Sequence, residues 1–277
     1  MSGIAPIVSP SWLAEHLDDP QVAIADCRFS LMEPELGAQQ YAAEHIPGAI
    51  YFDLNRDLSS PVQAHGGRHP LPDVEALAHK LGLAGISAET HVVAYDDSCF
   101  AFAARLWWLL RYLGHDRVSV LEGGLSGWKQ AGLPLTSNQS SDRSQPNPTT
   151  FTPHVRSHMG VDIDQVKARK DQQGVVLVDS REGDRYRGER EPIDPIAGHI
   201  PGAVNYFWKE IVDETGTVLS PEAQSARWGA IANADEVLVY CGSGVTACVN
   251  LLSLELAKIY TGKLYAGSWS DWCSYQS

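Results

Sequence analysis

Apolar residues in this chain gather into short runs of four or five, and the stretches between them carry apolar positions at helical spacing. The runs 22–26, 92–95 and 118–121, then 175–179 and 237–240, are rich in β-branched residues and too short for core helices, so they predict strands, and 263–265 is placed with them by the repeat. Helices are predicted over 10–17, 38–44, 73–81, 100–113, 162–171 and 247–258. Short buried strands alternating with helices predict an α/β fold, with mainly parallel sheets covered by helices.

The pattern occurs twice. Val22-Ala-Ile-Ala-Asp26-Cys-Arg28 returns as Val175-Val-Leu-Val-Asp179-Ser-Arg181, and His45-Ile-Pro-Gly-Ala49 as His199-Ile-Pro-Gly-Ala203. The strand ending in Tyr95 matches the one ending in Tyr240, and Gly123-Gly-Leu-Ser-Gly-Trp128 matches Gly267-Ser-Trp-Ser-Asp-Trp272. The common order marks a duplicated domain. Between the halves, Ser137 to Thr152 is polar and proline-punctuated and reads as an exposed linker. The expected organisation is a first domain over 1–137, a linker over 138–157 and a second domain over 158–277.

The halves differ at one loop. In the second, the strand ends in Cys241, followed by Gly242-Ser243-Gly244-Val245-Thr246 and then a helix-forming run from Ala247. Amides of a tight loop and a helix N-terminus can point at such a sulfur, and these donors stabilise a thiolate. A thiolate held this way is a nucleophile, so covalent cysteine chemistry is expected. At the matching position the first half has Asp96, which cannot play that part. The first domain is therefore expected to be catalytically inactive and to support or cover the second.

Composition narrows the class. The 277 residues carry 21 basic and 34 acidic side chains, a formal net charge of −13, which disfavours nucleic acid and anionic membrane as partners. No apolar run approaches the roughly 20 residues of a membrane span, and Met1 to Trp12 lacks the pattern of a secretory signal. Five cysteines without CxxC pairs or zinc spacing suggest free thiols in a reducing compartment, with cytoplasm as the expectation. No metal or organic cofactor is expected. Cys248, one or two turns into the following helix, reads as packing, with a redox role as its alternative.

Repeat, linker and cysteine loop together resemble the two-domain rhodanese-like sulfurtransferases, over roughly residues 5–275. Within that family the uncharged loop is similar to that of the 3-mercaptopyruvate enzymes, whereas thiosulfate enzymes usually carry bulky basic residues where this chain has Gly242 and Ser243. The resemblance implies a ping-pong mechanism: Cys241 attacks the donor sulfur, a persulfide forms, pyruvate leaves, and a thiol or cyanide takes the sulfur. It implies Gly242, Gly244, Val245 and Thr246 around the persulfide and Arg185 on the substrate. It also implies a relay of Ser243 with His69 and Asp53. A second substrate arginine of the family falls on Asp194 here, and Arg190 or Arg187 is the expected replacement. Thioredoxin and glutathione are the candidate acceptors, and a monomer is expected.

Three other readings compete. Thiosulfate could be the donor by the same mechanism. The chain could be a persulfide carrier or redox sensor without rapid turnover. A cysteine phosphatase would place its phosphate-clamping arginine at Ala247, and without that fork the transition-state charge has no partner.

Overall fold

The computed structural model describes residues 4–137, 147–214 and 216–276. The chain divides into two compact units. The first holds residues 1–60 and 72–156, and the second holds 61–71 and 157–277. Of the expected linker, residues 138–146 lie outside the described residues. Residues 149–156 run along the first unit, where Thr149, His154 and Arg156 donate their amides to carbonyls of Gly82, Leu113 and Tyr112.

The first unit contains β1 (Ile7–Val8), α1 (Pro10–Glu15), β2 (Val22–Asp26), α2 (Leu36–Ala43), β3 (Ala49–Tyr51), α3 (Val74–Leu83), β4 (His91–Tyr95), α4 (Ala103–Tyr112), β5 (Val118–Leu121) and α5 (Gly124–Gln130). Its sheet is parallel, in the order β1-β5-β4-β2-β3. The second unit contains β6 (Gly160–Val161), α6 (Ile163–Arg169), β7 (Val175–Asp179), α7 (Gly183–Tyr186), β8 (Val204–Asn205), α8 (Pro221–Arg227), β9 (Glu236–Tyr240), α9 (Ala247–Leu256), β10 (Gly262–Tyr265) and α10 (Ser268–Ser274). Its parallel order, β6-β10-β9-β7-β8, is the same topology over again. All six strands expected from sequence are present. The strands β1, β3, β6 and β8 are only two or three residues long, too short to show a period.

The repeated motifs turn out to be one buried polar frame built twice. At the end of β2, Asp26 grips Arg28 through both oxygens, Oδ1 at 3.1 Å from Nε and Oδ2 at 2.6 Å from Nη2, and accepts from Tyr95 Oη at 2.6 Å. Tyr95 Oη in turn accepts the Ile46 amide, and His45 bonds the Tyr41 carbonyl at 2.7 Å while stacking on its ring. The second unit repeats this with Asp179, Arg181, Tyr240, Ile200, His199 and Tyr186. A buried charge needs a partner and its remaining polar atoms need hydrogen bonds, which accounts for these residues travelling together. The histidines are structural. Apolar packing closes around the frame: Leu13, Ile24, Val93, Leu121 and Trp128 in the first unit, and Val166, Leu177, Leu238, Tyr265 and Trp269 in the second.

In the first unit, His91 at the start of β4 is buried and bonds Ser119 Oγ at 2.8 Å. Burial, with the nearby Arg117 charge, lowers its pKa from 6.5 to about 4. The folded state therefore binds fewer protons than the unfolded chain between these values. His91 contributes stability that is fully present above about 6.5 and is lost as pH falls towards 4. Thermal unfolding of His91→Gln at pH 7 and pH 4.5 should show a smaller fall in Tm than the unaltered chain. An equal fall in both would contradict this.

Candidate functional site

Cys241 follows β9 directly and is buried, with 1% of its surface exposed. Gly244 shapes the loop behind it. Its φ is +77°, and a Cβ there would stand 2.2 Å from the Ala266 carbonyl oxygen, so only glycine fits. In this curl the Gly244 amide donates to Cys241 Sγ at 3.2 Å. The carbonyls of Val245 and Thr246 accept from Cys248 and Val249 as α9 begins. The loop is tied to the start of α10, where Trp269 and Ser270 donate to the carbonyls of Cys241 and Gly242 at 3.0 and 2.9 Å. Cys248 lies buried and directs its thiol to the Gly244 carbonyl.

One anchor was hidden in the sequence. Ser268 is buried with φ of +57°, the conformation that Gly124 (φ +53°) takes at the matching place in the first unit. A non-glycine residue held there is strained. Its hydroxyl accepts the Cys241 amide at 3.1 Å and donates to the Tyr265 carbonyl at 2.9 Å. The aligned Gly-Gly-Leu and Gly-Ser-Trp motifs marked the position but not this bond.

Residues 61–71 form a strap within the second unit. Gly66 donates its amide to Asp271 at 2.7 Å, the Arg68 amide donates to Ser270 Oγ at 3.2 Å, and His65 bonds Ser274 Oγ and stacks on Tyr275. Gly67 has φ of +81°, and a Cβ on it would meet the Gly267 carbonyl at 2.3 Å, so the strap lies flat on α10 only with glycine there. This docking presents His69, whose Nδ1 is 2.8 Å from Ser243 Oγ, both side chains being buried. The expected serine–histidine contact is therefore formed. Asp53 belongs to the first unit, where its Oδ1 accepts the amides of Asn55 and Arg56.

Arg185, in α7, is held by Glu191, with Nη2 at 2.6 Å and Nε at 3.3 Å, and by Asp194 at 3.3 Å. Burial opposes ionisation of Glu191, but the hydrogen bond and charge of Arg185 and the amides of Asp194 and Ile193 together hold the carboxyl below its ordinary range. Burial pushes Asp194 up, against the opposing charge of Arg68. Arg68 pairs with Asp194 from the strap. Arg190 turns instead to Asp184 at the surface, and Arg187 to Glu189, each about half exposed. Asp194 is paired with Arg68 and Arg185, and with neither of these two. Arg68 went unnamed in the sequence because it lies 126 positions from Asp194. Among the described residues, no cluster of His, Cys, Asp and Glu could hold a metal ion, and no helix is long and apolar enough to cross a membrane.

The sequence profile of the rhodanese-like domain matches residues 9–131 and 162–275. The chain is 46% identical over 273 residues to a Pseudomonas aeruginosa protein named as a probable 3-mercaptopyruvate sulfurtransferase, covering 97% of this chain and 95% of that one. It is 38% identical over 258 residues to a Mycobacterium tuberculosis protein named as a "putative thiosulfate sulfurtransferase", covering 92% and 89%. Its fold is similar to the crystal structure of the Escherichia coli 3-mercaptopyruvate sulfurtransferase, with TM-score 0.81 and 33% identity over 96% of this chain and 99% of that one.

Ser268 provides a test of the loop anchor. Ser268→Gly relieves the backbone strain and removes the hydroxyl, whereas Ser268→Ala keeps the strain and removes the same bond. Thermal unfolding should rank Ser268→Ala below Ser268→Gly. Both should react with iodoacetamide at Cys241 at rates changed by up to about tenfold, the equivalent of one hydrogen bond of roughly 1.4 kcal/mol. Equal stability of the two variants would remove the strain argument.

Proposed function

Because the chain belongs to the rhodanese-like domain family, we propose that it is a sulfurtransferase that moves sulfur from 3-mercaptopyruvate, through a persulfide on Cys241, to a thiol acceptor. The observation that carries this reading is the buried Cys241, with Gly244 donating to its sulfur and the Ser243–His69 pair on the same uncharged loop. The relatives named for 3-mercaptopyruvate support the same donor.

In the first step, the Cys241 thiolate attacks the donor's sulfur. A sulfur–sulfur bond forms, the carbon–sulfur bond breaks, and its electron pair leaves on the enolate of pyruvate. The enolate takes a proton and becomes pyruvate, and the donor's thiol hydrogen stays on the outer sulfur of the persulfide. Ser243, bonded to His69, is the group on the loop suited to moving that proton. In the second step, an acceptor thiolate or cyanide takes the outer sulfur, and the Cys241 thiolate is restored. The loop amides hold negative charge on Cys241 before the first step and after the second.

The first domain is read as inactive for a structural reason. Asp96 stands at the cysteine's position and fills its own loop: its two carboxylate oxygens accept the amides of Ser98, Phe100, Phe102 and Ala103 at 2.8 to 3.1 Å. The anion cradle is occupied by the residue that lines it. The domain boundaries at 1–137, 138–157 and 158–277, the thioredoxin or glutathione acceptor, the monomeric state and the cytoplasmic location belong to this proposal as well. Thiosulfate as donor is the second reading, and it draws on the relative named for that substrate.

Cys241→Ser should lower turnover with 3-mercaptopyruvate and cyanide by at least about a thousandfold, because it removes the thiolate that carries the persulfide. Mass spectrometry of the donor-treated protein should find one added sulfur on Cys241 and none on Cys248. Ser243→Ala should reduce kcat by roughly ten- to a hundredfold, with less effect on persulfide transfer to cyanide, which needs no enolate protonation. A kcat/KM for thiosulfate above that for 3-mercaptopyruvate would reverse the choice of donor.

A further inference from the structure

Each unit buries one arginine of the repeated frame, and the two guanidinium groups differ in one bond. Arg28 and Arg181 alike place Nε and Nη2 on the aspartate two positions earlier and turn Nη2 to a backbone carbonyl, that of Glu44 or of Gly198. Arg181 then gives Nη1 to the Glu191 carboxylate at 3.1 Å. Arg28 has 2% of its surface exposed, yet among the described residues nothing accepts from its Nη1. A buried guanidinium N–H without an acceptor is uncommon in a folded chain.

Arg28 forms part of the wall of a cavity of about 300 Å³ in the first unit, together with Gln40, Glu44, Asp97, Leu125 and Lys129. With Nε and Nη2 spent, Nη1 is the donor that Arg28 offers there. The second unit shows how the corresponding space is filled from within the chain. Glu191 supplies a carboxylate, and the Trp269 ring lies 4.8 Å over the Arg181 guanidinium. Leu125 holds the place of Trp269 in the aligned Gly-Gly-Leu and Gly-Ser-Trp motifs, and a leucine covers less than an indole. Among the described residues the first unit has neither the carboxylate nor the ring, and the space beside Arg28 stays open. Its volume suits a small ligand.

The charges of the wall select that ligand. Arg28 is paired with Asp26 and Lys129 with Glu44. Asp97 has no cation among the described residues, and its carboxylate accepts from Ser98 Oγ at 3.3 Å. One donor and one carboxylate are therefore left to a ligand. A bare anion would satisfy Nη1 but join a wall already in negative surplus, with Asp26, Glu44 and Asp97 against Arg28 and Lys129. A bare cation would meet Asp97 and leave Nη1 as it was. A zwitterion satisfies both.

We propose that the first unit binds a small zwitterionic amino acid beside Arg28. The ligand's carboxylate takes Arg28 Nη1, as Glu191 takes Arg181 Nη1, and its ammonium group meets Asp97. All the residues involved belong to the first unit, and none is part of the cysteine loop. The site does not depend on which sulfur donor the second unit uses.

The probes are L-alanine, propionate and ethylamine: the zwitterion, its carboxylate alone and its ammonium group alone. Each is titrated into the isotope-labelled full chain and read by NMR as shifts of the Leu125 and Ser126 amides. L-Alanine should give saturable shifts in roughly the millimolar range of so small a ligand. Propionate and ethylamine should each bind at least about tenfold more weakly. Asp97→Asn, a change at an exposed position, should weaken L-alanine by about tenfold and bring propionate level with it, because it removes both the ammonium partner and the surplus charge. Gln40→Glu, which offers Arg28 a carboxylate from the wall, should weaken L-alanine by about tenfold or more. Arg28 itself is left unaltered because it holds the frame, and circular dichroism checks that both variants fold. Absence of shifts with L-alanine overturns the proposal, as do shifts confined to the second unit. So does propionate binding as tightly as L-alanine in the unaltered chain, or either variant binding L-alanine as before.

Discussion

The second unit depends on a ladder of alternating charges that begins inside the fold and ends at the reactive loop. Asp179 pairs with Arg181, Arg181 with Glu191, Glu191 with Arg185, Arg185 with Asp194, and Asp194 with Arg68. A single charge buried at any rung would be costly, and each is tolerable because its neighbours have opposite sign. The ladder therefore acts as one unit. Its inner end orders the termini of the central strands through Tyr240, and its outer end places guanidinium groups over Gly242.

Among the described residues, the first unit has the inner rung without the further carboxylate. Asp26 and Arg28 pair as Asp179 and Arg181 do, and Arg28 bonds the Glu44 carbonyl as Arg181 bonds that of Gly198, but Arg181 alone goes on to Glu191. At the matching loop, Asp96 consumes the backbone amides itself. One architecture has thus been used in two ways. In one copy the loop amides are taken up by a carboxylate of the loop itself, and in the other the Gly244 amide meets the Cys241 sulfur.

Backbone constraint complements the charges. Gly244 and Gly67 take conformations that their close neighbours permit to no side chain, and Ser268 holds a strained one that its hydrogen bonds offset. These three positions fix the loop, the strap and the start of α10 against one another, so His69 and Arg68 arrive at the loop in set geometry. Precise placement of this kind is what a reaction between two bound atoms requires.

The sequence by itself determined the α/β class, the six longer strands, the duplication and the place of the cysteine loop, because each of these is written locally. A β-branched run, a repeated motif and a cysteine before Gly-x-Gly are legible without knowing what lies opposite. It also pointed to His69, Ser243 and Arg185 through the family's order of motifs. Only the tertiary structure showed which arginine shares Asp194 with Arg185. Arg190, six positions from its aspartate partner, pairs locally with Asp184, whereas Arg68 meets Asp194 across 126 positions. It alone showed the role of Ser268, whose φ and hydrogen bonds cannot be read from a serine in a row of letters. The physical reason is the same in both cases. Local periodicity and turn chemistry act over a few residues, but a buried charge or an amide finds its partner through space, and the chain order carries no record of that pairing until the sheet and the strap have folded.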